Sequence, residues 1–198
     1  MSLKRNRRYA FLKRLLDIVF SALLLFLLGI PMLIIGVMIS ATSEGGALFK
    51  QKRVGRHGEM FTCYKFRTMY IDAPDNCPKA TLKNAERYIT PIGGFLRKSS
   101  LDELPQLYNV LRGDMSLVGP RPLIAEEGEI HELRRRCGVL DVRPGITGLA
   151  QVSGRDRVSD VDKARYDIDY IRGMSLGQDA GIILKTVGDV LYRRDMIK

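Results

Sequence analysis

The hydrophobic pattern of the chain falls into two regimes. From Ile18 to Ile39 there is no charged residue, and the centre of the run reads Leu23, Leu24, Leu25, Phe26, Leu27 and Leu28. Roughly 20 apolar residues are enough to cross a bilayer, so the run is long enough to enter one. It is too long for a cleavable leader and lacks a small-residue cleavage site. Six cations precede it (Lys4, Arg5, Arg7, Arg8, Lys13, Arg14), and six follow between Lys50 and Arg67 (Lys50, Lys52, Arg53, Arg56, Lys65, Arg67). Basic flanks favour the cytoplasm, so both ends ask for the same side. Gly29 and Pro31 fall near the middle, and Pro31 removes a helical hydrogen bond to Leu27 and crowds its carbonyl. A re-entrant helix that breaks there and returns satisfies both flanks and is the preferred reading. An ordinary kinked transmembrane helix is the alternative, since proline is tolerated in such helices.

Beyond the run the pattern shortens. Residues 51–54 and 60–65 alternate around a turn at Val54–Glu59 and predict a β-hairpin. Residues 72–92 read as irregular, with a short helix near Thr81–Arg87. Leu104, Leu107, Tyr108 and Leu111 recur at helical spacing, with Asp102 as N-cap and Gly113 as the stop. Residues 124–137 predict a charged helix, acidic early and basic late, which suits the helix dipole. A tight loop at Arg143–Gly148 precedes two further helices. One is lined by Val161, Ala164, Ile168 and Ile171, with Ser159 as cap. The other is lined by Leu176, Ala180, Ile183, Leu184, Val187 and Leu191. The expected fold is α+β and mostly helical. A basic N-terminus and re-entrant membrane helix occupy residues 1–43, and a small cytosolic domain with a short β-hairpin and amphipathic helices occupies residues 44–198.

Composition narrows the chemistry. Lys and Arg number 32 against 22 acids, a formal charge of +10, which suits nucleic acid, anionic lipid or a phosphorylated substrate. Cys63, Cys77 and Cys137 show no metal-ligand spacing and there are only two histidines, so a zinc site is not expected. No nucleophilic serine elbow or P-loop is present. What remains is the adjacent pair Asp102 and Glu103, with Arg97 upstream, and arginines in rigid loops: Arg121 between two prolines, and Arg143 and Arg155 bracketing a glycine-rich turn. Read alone, Asp102 caps a helix and Glu103 complements its dipole. Likewise the Arg143–Gly148 loop is equally a plain turn or an anion site. Beside a phosphate-rich substrate, one carboxylate can attack phosphorus while its neighbour holds Mg²⁺, which takes oxygen ligands.

Four ordered stretches carry a family likeness: Lys65-Phe66-Arg67-Thr68-Met69, Ser100-Leu101-Asp102-Glu103-Leu104-Pro105-Gln106-Leu107, residues 113–122 ending in Pro120-Arg121-Pro122, and Arg143-Pro144-Gly145-Ile146-Thr147-Gly148. Together they resemble the bacterial sugar transferases, monotopic phosphoglycosyl transferases that start glycan assembly on a polyprenyl phosphate. The likeness runs from about Leu12 to the last helix and is to the minimal catalytic form. It implies that Asp102 attacks the sugar-proximal phosphorus of a UDP-sugar, releases UMP and holds the phosphosugar until undecaprenyl phosphate takes it. It implies Glu103 as ligand of a Mg²⁺ cofactor, and Arg97, Arg121, Arg155, Lys65, Arg67 and Arg143 as candidates for binding substrate. It places the protein at the bacterial cytoplasmic membrane, with the catalytic domain on the cytoplasmic face. The implied partners are the UDP-sugar donor, the undecaprenyl phosphate acceptor and membrane lipid, with no nucleic acid, and a homodimer is compatible with it. Leu149 stands where many members have Trp, and Ile30 precedes Pro31 where some have Ser. The rival from another class is a non-catalytic, membrane-anchored basic module that grips nucleic acid or anionic lipid. It predicts no turnover and indifference to Asp102.

Overall fold

The computed structural model describes residues 7–74, 85–154 and 159–192. Its first element, α1 (Arg7–Thr42), is continuous through Pro31. The expected interruption of secondary structure at the proline is absent. The middle of α1 is bare, with Phe26 84% and Ile30 74% exposed. Water would not tolerate such a surface, whereas lipid does.

Both ends of α1 dock on one and the same folded domain. Near the start, Tyr9 Oη and Lys13 Nζ each donate to Asp179 Oδ2 at 2.9 Å. Arg14 donates to the carbonyls of Val110 and Leu111 at 2.7 and 2.9 Å, and Asp17 Oδ1 accepts from Leu117 N at 3.0 Å. Near the end, Ile39 is fully buried against Phe66 and Leu96, with Met32, Ile35, Leu101 and Leu104 around them. Thr42 and Ser43 hydroxyls bond back to Met38 and Ile39 carbonyls and close the helix.

The predicted hairpin is present: β1 (Leu48–Val54) pairs antiparallel with β2 (Met60–Phe66), Val54 opposite Met60 and Leu48 opposite Phe66. A 3-10 turn at Arg56–Gly58 joins them, with His57 and Gly58 both at positive φ. Phe61 and Cys63 point inward onto Val110 and Met115. A 3-10 turn at Ala85–Tyr88 overlaps the end of the expected helix near 81–87, whose first part (Thr81–Asn84) lies outside the described residues, as does Cys77.

Next come α2 (Gly93–Ser99), a 3-10 turn (Leu101–Glu103) and α3 (Gln106–Arg112). Asp102 is therefore not the N-cap of a helix. It sits inside the 3-10 turn, and Pro105 occupies the position before α3. The reason lies in Ser100, whose left-handed backbone (φ 58) ends α2 and sends the chain straight into the tighter turn.

β3 (Ser116–Val118) and β4 (Gly145–Thr147) form a short parallel ladder. The glycines of the Arg143–Gly148 loop serve that ladder: a Cβ on Gly145 would lie 2.1 Å from Gly119 N, and one on Gly148 2.1 Å from Gly119 O. The close backbone approach is to the chain's own Gly119. Between these strands, α4 (Gly128–Arg136) begins four residues later than the charge pattern suggests, Leu123 and Ile124 being buried ahead of it. After β4 come α5 (Leu149–Val152), α6 (Asp160–Gly173) and α7 (Leu176–Leu191). Ser159 caps α6 as expected, its Oγ accepting from Asp162 N. Among the described residues, Val118, Val139, Val142, Val152, Tyr170, Ile171 and Ile182 make the largest apolar cluster. On α7 the predicted apolar stripe is on the outside: Ile182 is buried, whereas Leu184, Val187 and Leu191 are exposed. Periodicity finds an apolar face without saying what covers it.

Candidate active site

The turn that carries the two carboxylates is pinned by its apolar neighbours. Leu101 and Leu104, on either side of Asp102 and Glu103, pack on the cluster that Ile39 of α1 forms with Phe66 and Leu96. The acidic pair is therefore seated where the apolar helix meets the polar domain.

Cations converge on it from three elements. Lys65, on β2, lies 2.7 Å from Glu103 Oε1, and Arg121 Nη2 lies 3.2 Å from the same oxygen. Arg97, in the last turn of α2, donates from Nε to Thr68 Oγ1 at 2.8 Å. Burial lowers the hold of Arg97 on its proton, and the nearby Asp102 charge opposes that shift. Four of the expected site residues (Arg97, Asp102, Glu103, Lys65) are thus gathered with a fifth, Arg121.

The Pro120–Ile124 segment holds Arg121 in place. Two prolines remove amide donors from it and keep Arg121 extended. Its carbonyls are taken one after another. Gly145 N donates to Pro120 O at 2.9 Å, Arg134 Nη1 to Arg121 O at 2.9 Å, and Arg53 Nη1 to Pro122 O at 3.2 Å. Val54 N donates to Leu123 O at 2.9 Å, and His131 Nε2 lies 2.7 Å from Ile124 O, an acceptor, so that nitrogen carries hydrogen. Arg134 pairs at its other end with Asp167 on α6, and both are buried. Burial pushes the Asp167 carboxyl up, and the Arg134 guanidinium opposes this. Arg53 is held below its usual proton affinity by burial and by the like charge of Arg121.

Other expected site residues sit elsewhere. Arg67 is buried, and its Nη2 donates to Ser43 O, Ser43 Oγ and Gly45 O at 3.0–3.1 Å, clasping the corner between α1 and β1. Arg143 donates to Gly113 O at 2.7 Å and lines a small cavity with Tyr9, Lys13, Arg14 and Asp17, under the start of α1. Arg155 lies outside the described residues. Sequence reasoning missed Arg53, Arg134 and Asn109. Asn109 is fully buried and joins α3 to β2, its Oδ1 accepting from Tyr64 N and its Nδ2 donating to Thr62 O. A polar residue between the apolar positions of a short helix was the available signal.

Among the described residues, no group of three or more His, Cys, Asp and Glu could hold a metal by itself. Magnesium does not need one: it keeps several waters and is typically held by one or two carboxylates plus substrate phosphates. The hard oxygens of Glu103 and Asp102 fit that donor set.

Comparison with known proteins places the chain in a family. The family model described as "Bacterial sugar transferase" matches residues 8–193. The chain is 44% identical over 212 residues to the undecaprenyl-phosphate galactose phosphotransferase of Salmonella typhimurium, covering 97% of this chain and 42% of that protein. It is 43% identical over 188 residues to the UDP-glucose:undecaprenyl-phosphate glucose-1-phosphate transferase of Caulobacter vibrioides, covering 90% of this chain and 69% of that one. It is 35% identical over 196 residues to the exopolysaccharide production protein ExoY of Rhizobium meliloti, covering 92% and 86%. The chain thus spans less than half the length of the Salmonella protein. With the acidic turn, the Pro-Arg-Pro segment and a match from Arg8 onward in hand, the chain belongs to the bacterial sugar transferase family.

Proposed function

We propose that the protein transfers a sugar 1-phosphate from a UDP-sugar to undecaprenyl phosphate, releasing UMP and starting a lipid-linked glycan. The observation that carries this reading is the seating of Asp102 and Glu103, ringed by Lys65, Arg97 and Arg121, at the domain end of an apolar helix. A water-soluble diphosphate and a lipid phosphate can meet only at such a boundary. A basic binding module has no use for two carboxylates at the centre of its cations.

In the proposed reaction an Asp102 carboxylate oxygen attacks the sugar-bearing phosphorus. The bond from that phosphorus to the UMP oxygen breaks, UMP departs with the electron pair, and an acyl phosphate joins Asp102 to the sugar. An oxygen of undecaprenyl phosphate then attacks the same phosphorus, the bond to Asp102 breaks, and the carboxylate is restored. Arg97 and Arg121 offset charge on the transferred phosphoryl group, and Lys65 reaches it from β2. Glu103 would hold Mg²⁺, which supplies charge neutralisation to the diphosphate when bound.

The proposal includes a re-entrant α1, with the domain and both helix ends at the cytoplasmic face. Support comes from the two docking contacts of α1, at Tyr9–Asp17 and at Met32–Ile39, with the bare stretch around Phe26 and Ile30 between them. A straight span would carry the first of these contacts away from the domain across roughly 30 Å of hydrocarbon. The test is UMP release over a panel of UDP-sugars with undecaprenyl phosphate and Mg²⁺. Asp102→Asn, nearly isosteric, should abolish it while the melting temperature holds, and a phosphosugar adduct should map to Asp102 by mass spectrometry. Substantial turnover by a folded Asp102→Asn protein would remove the covalent step.

A further inference from the structure

The Arg134–Asp167 pair is costly where it lies. Arg134 is 3% and Asp167 1% exposed, and taking two charges out of water is seldom repaid in stability. The charge of Arg134 is not spent on an anion of the substrate: one end meets Asp167, and the other donates to the main-chain carbonyl of Arg121. The next carbonyl, of Pro122, is taken by a second, half-buried guanidinium, that of Arg53. Successive carbonyls of an extended chain point to opposite sides. Two arginines, one on α4 and one on β1, thereby grip the two carbonyls that follow the Cα presenting the Arg121 guanidinium to Glu103, while Gly145 N holds the carbonyl before it.

We infer that Arg134, oriented by Asp167, and Arg53 are positioning residues that fix where the Arg121 guanidinium meets the transferred phosphate. The carbonyl of Arg121 carries the constraint, so the pair acts on catalysis through Arg121 alone. A neutral donor would satisfy one carbonyl. A forked guanidinium clamped by a carboxylate on another helix also fixes its direction. The inference rests on the transferase reading, and its test is built so that the two can fail separately.

The decisive variant is the paired replacement Arg134→Met with Asp167→Leu, which removes both charges and leaves neither buried alone. The full chain is assayed in detergent for UMP release, with melting temperature and backbone hydrogen exchange measured alongside. The expected result is a folded protein whose kcat/KM falls by about tenfold or more, as a displaced phosphate ligand would cause. In an Arg121→Ala background the same replacement should add less than about a twofold loss, because the residue through which it acts is gone. Exchange at the Val54 amide, which donates to Leu123 O, should rise while that of β3 stays unchanged. A merely structural pair would loosen β3 equally and would lower activity as much without Arg121 as with it. Either finding overturns the inference, as does wild-type kcat/KM in the folded paired variant. If the paired variant does not fold, Arg53→Lys takes its place in the same three measurements, and the same outcomes support or overturn the inference. Absence of UMP release by the unaltered chain would defeat the transferase reading, and the exchange pattern would still decide the role of the pair.

Discussion

Asn109 offers the most quantitative test of how the site is held. Among the described residues, β2 has β1 on one side and no strand on the other. On that open side the Asn109 amide does the work of a neighbouring strand, accepting from Tyr64 N at 3.1 Å and donating to Thr62 O at 2.7 Å. A third bond runs from Nδ2 to Asp114 Oδ2 at 3.1 Å. Asn109→Ala leaves a buried N–H and a buried C=O without their partner, each worth about 1–2 kcal/mol. The sum is about 3 kcal/mol. At roughly 2–4 °C per kcal/mol for a chain of this size, the melting temperature should drop by about 10 °C. Asn109→Asp makes a sharper discrimination. It keeps the acceptor for Tyr64 N, loses both donors, and sets a carboxylate against Thr62 O and Asp114. Burial and Asp114 would raise the folded pKa of the introduced carboxyl above its unfolded value near 4. Its penalty should therefore be small below about pH 4 and grow as pH rises through the folded value. At pH 8 it should melt below Asn109→Ala, and the order should reverse in acid. With no tryptophan in the chain, far-ultraviolet circular dichroism is the suitable signal. A melting temperature for Asn109→Ala within about 1 °C of wild type would refute the strand-mimic argument, as would an Asn109→Asp deficit that ignores pH.

Two further predictions concern the metal and the membrane. Excess EDTA should abolish UMP release and added Mg²⁺ should restore it, since Glu103 offers a hard oxygen; full activity in chelator would remove the metal from the proposal. A single cysteine at Ser2, with Cys63, Cys77 and Cys137 replaced, should resist an impermeant thiol reagent added outside spheroplasts, and labelling from outside would mark α1 as a true span.

Much of this was visible in the residues, and what was hidden was hidden for physical reasons. The uncharged run, the hairpin and the Asp102-Glu103 stretch announce themselves because each is a local pattern: absence of charge, alternation, a carboxylate pair beside proline. The parallel pairing of Ser116–Val118 with Gly145–Thr147 joins segments nearly 30 residues apart, each only 3 residues long, too short for any period to register. Asp102 looks like a cap because an acid stands at the start of a helical period whose first turn can hold Pro105. The left-handed turn at Ser100 that overrides it is set by tertiary packing of Leu101 and Leu104. The arginines illustrate the limit best. Arg67 stands in the same motif as Lys65, yet Lys65 reaches Glu103 while Arg67 turns back to Ser43 and Gly45. Arg134 is one of three consecutive arginines; Arg135 and Arg136 pair with exposed Glu132, and Arg134 alone of the three faces inward. Charge along a sequence does not say which side of a helix meets the core.

The charge arrangement at the site also bears on why a metal would be wanted there. In the chain as it stands, Lys65 and Arg121 both lean on one oxygen of Glu103, so the carboxylate is compensated and the cations are held in place. A nucleotide diphosphate brings its own negative charge to the same cations. Were Lys65 and Arg121 to turn toward phosphate, Glu103 would lose the compensation that its partly buried position requires. In the proposed reaction Asp102, next to it, would have to stay ionised to attack, which a bare neighbouring carboxylate would oppose by raising its pKa. A divalent cation held by Glu103 with the diphosphate would answer both needs at once, since it would neutralise Glu103 and let Asp102 keep its charge. The prediction that follows is specific to this exchange. Glu103→Gln removes the charge that the metal would offset, so the variant should lose most of its dependence on Mg²⁺ concentration along with much of its turnover. A Glu103→Gln protein that is slowed but keeps the wild-type Mg²⁺ titration curve would place the metal on the diphosphate alone, and the partner exchange at Glu103 would have to be abandoned.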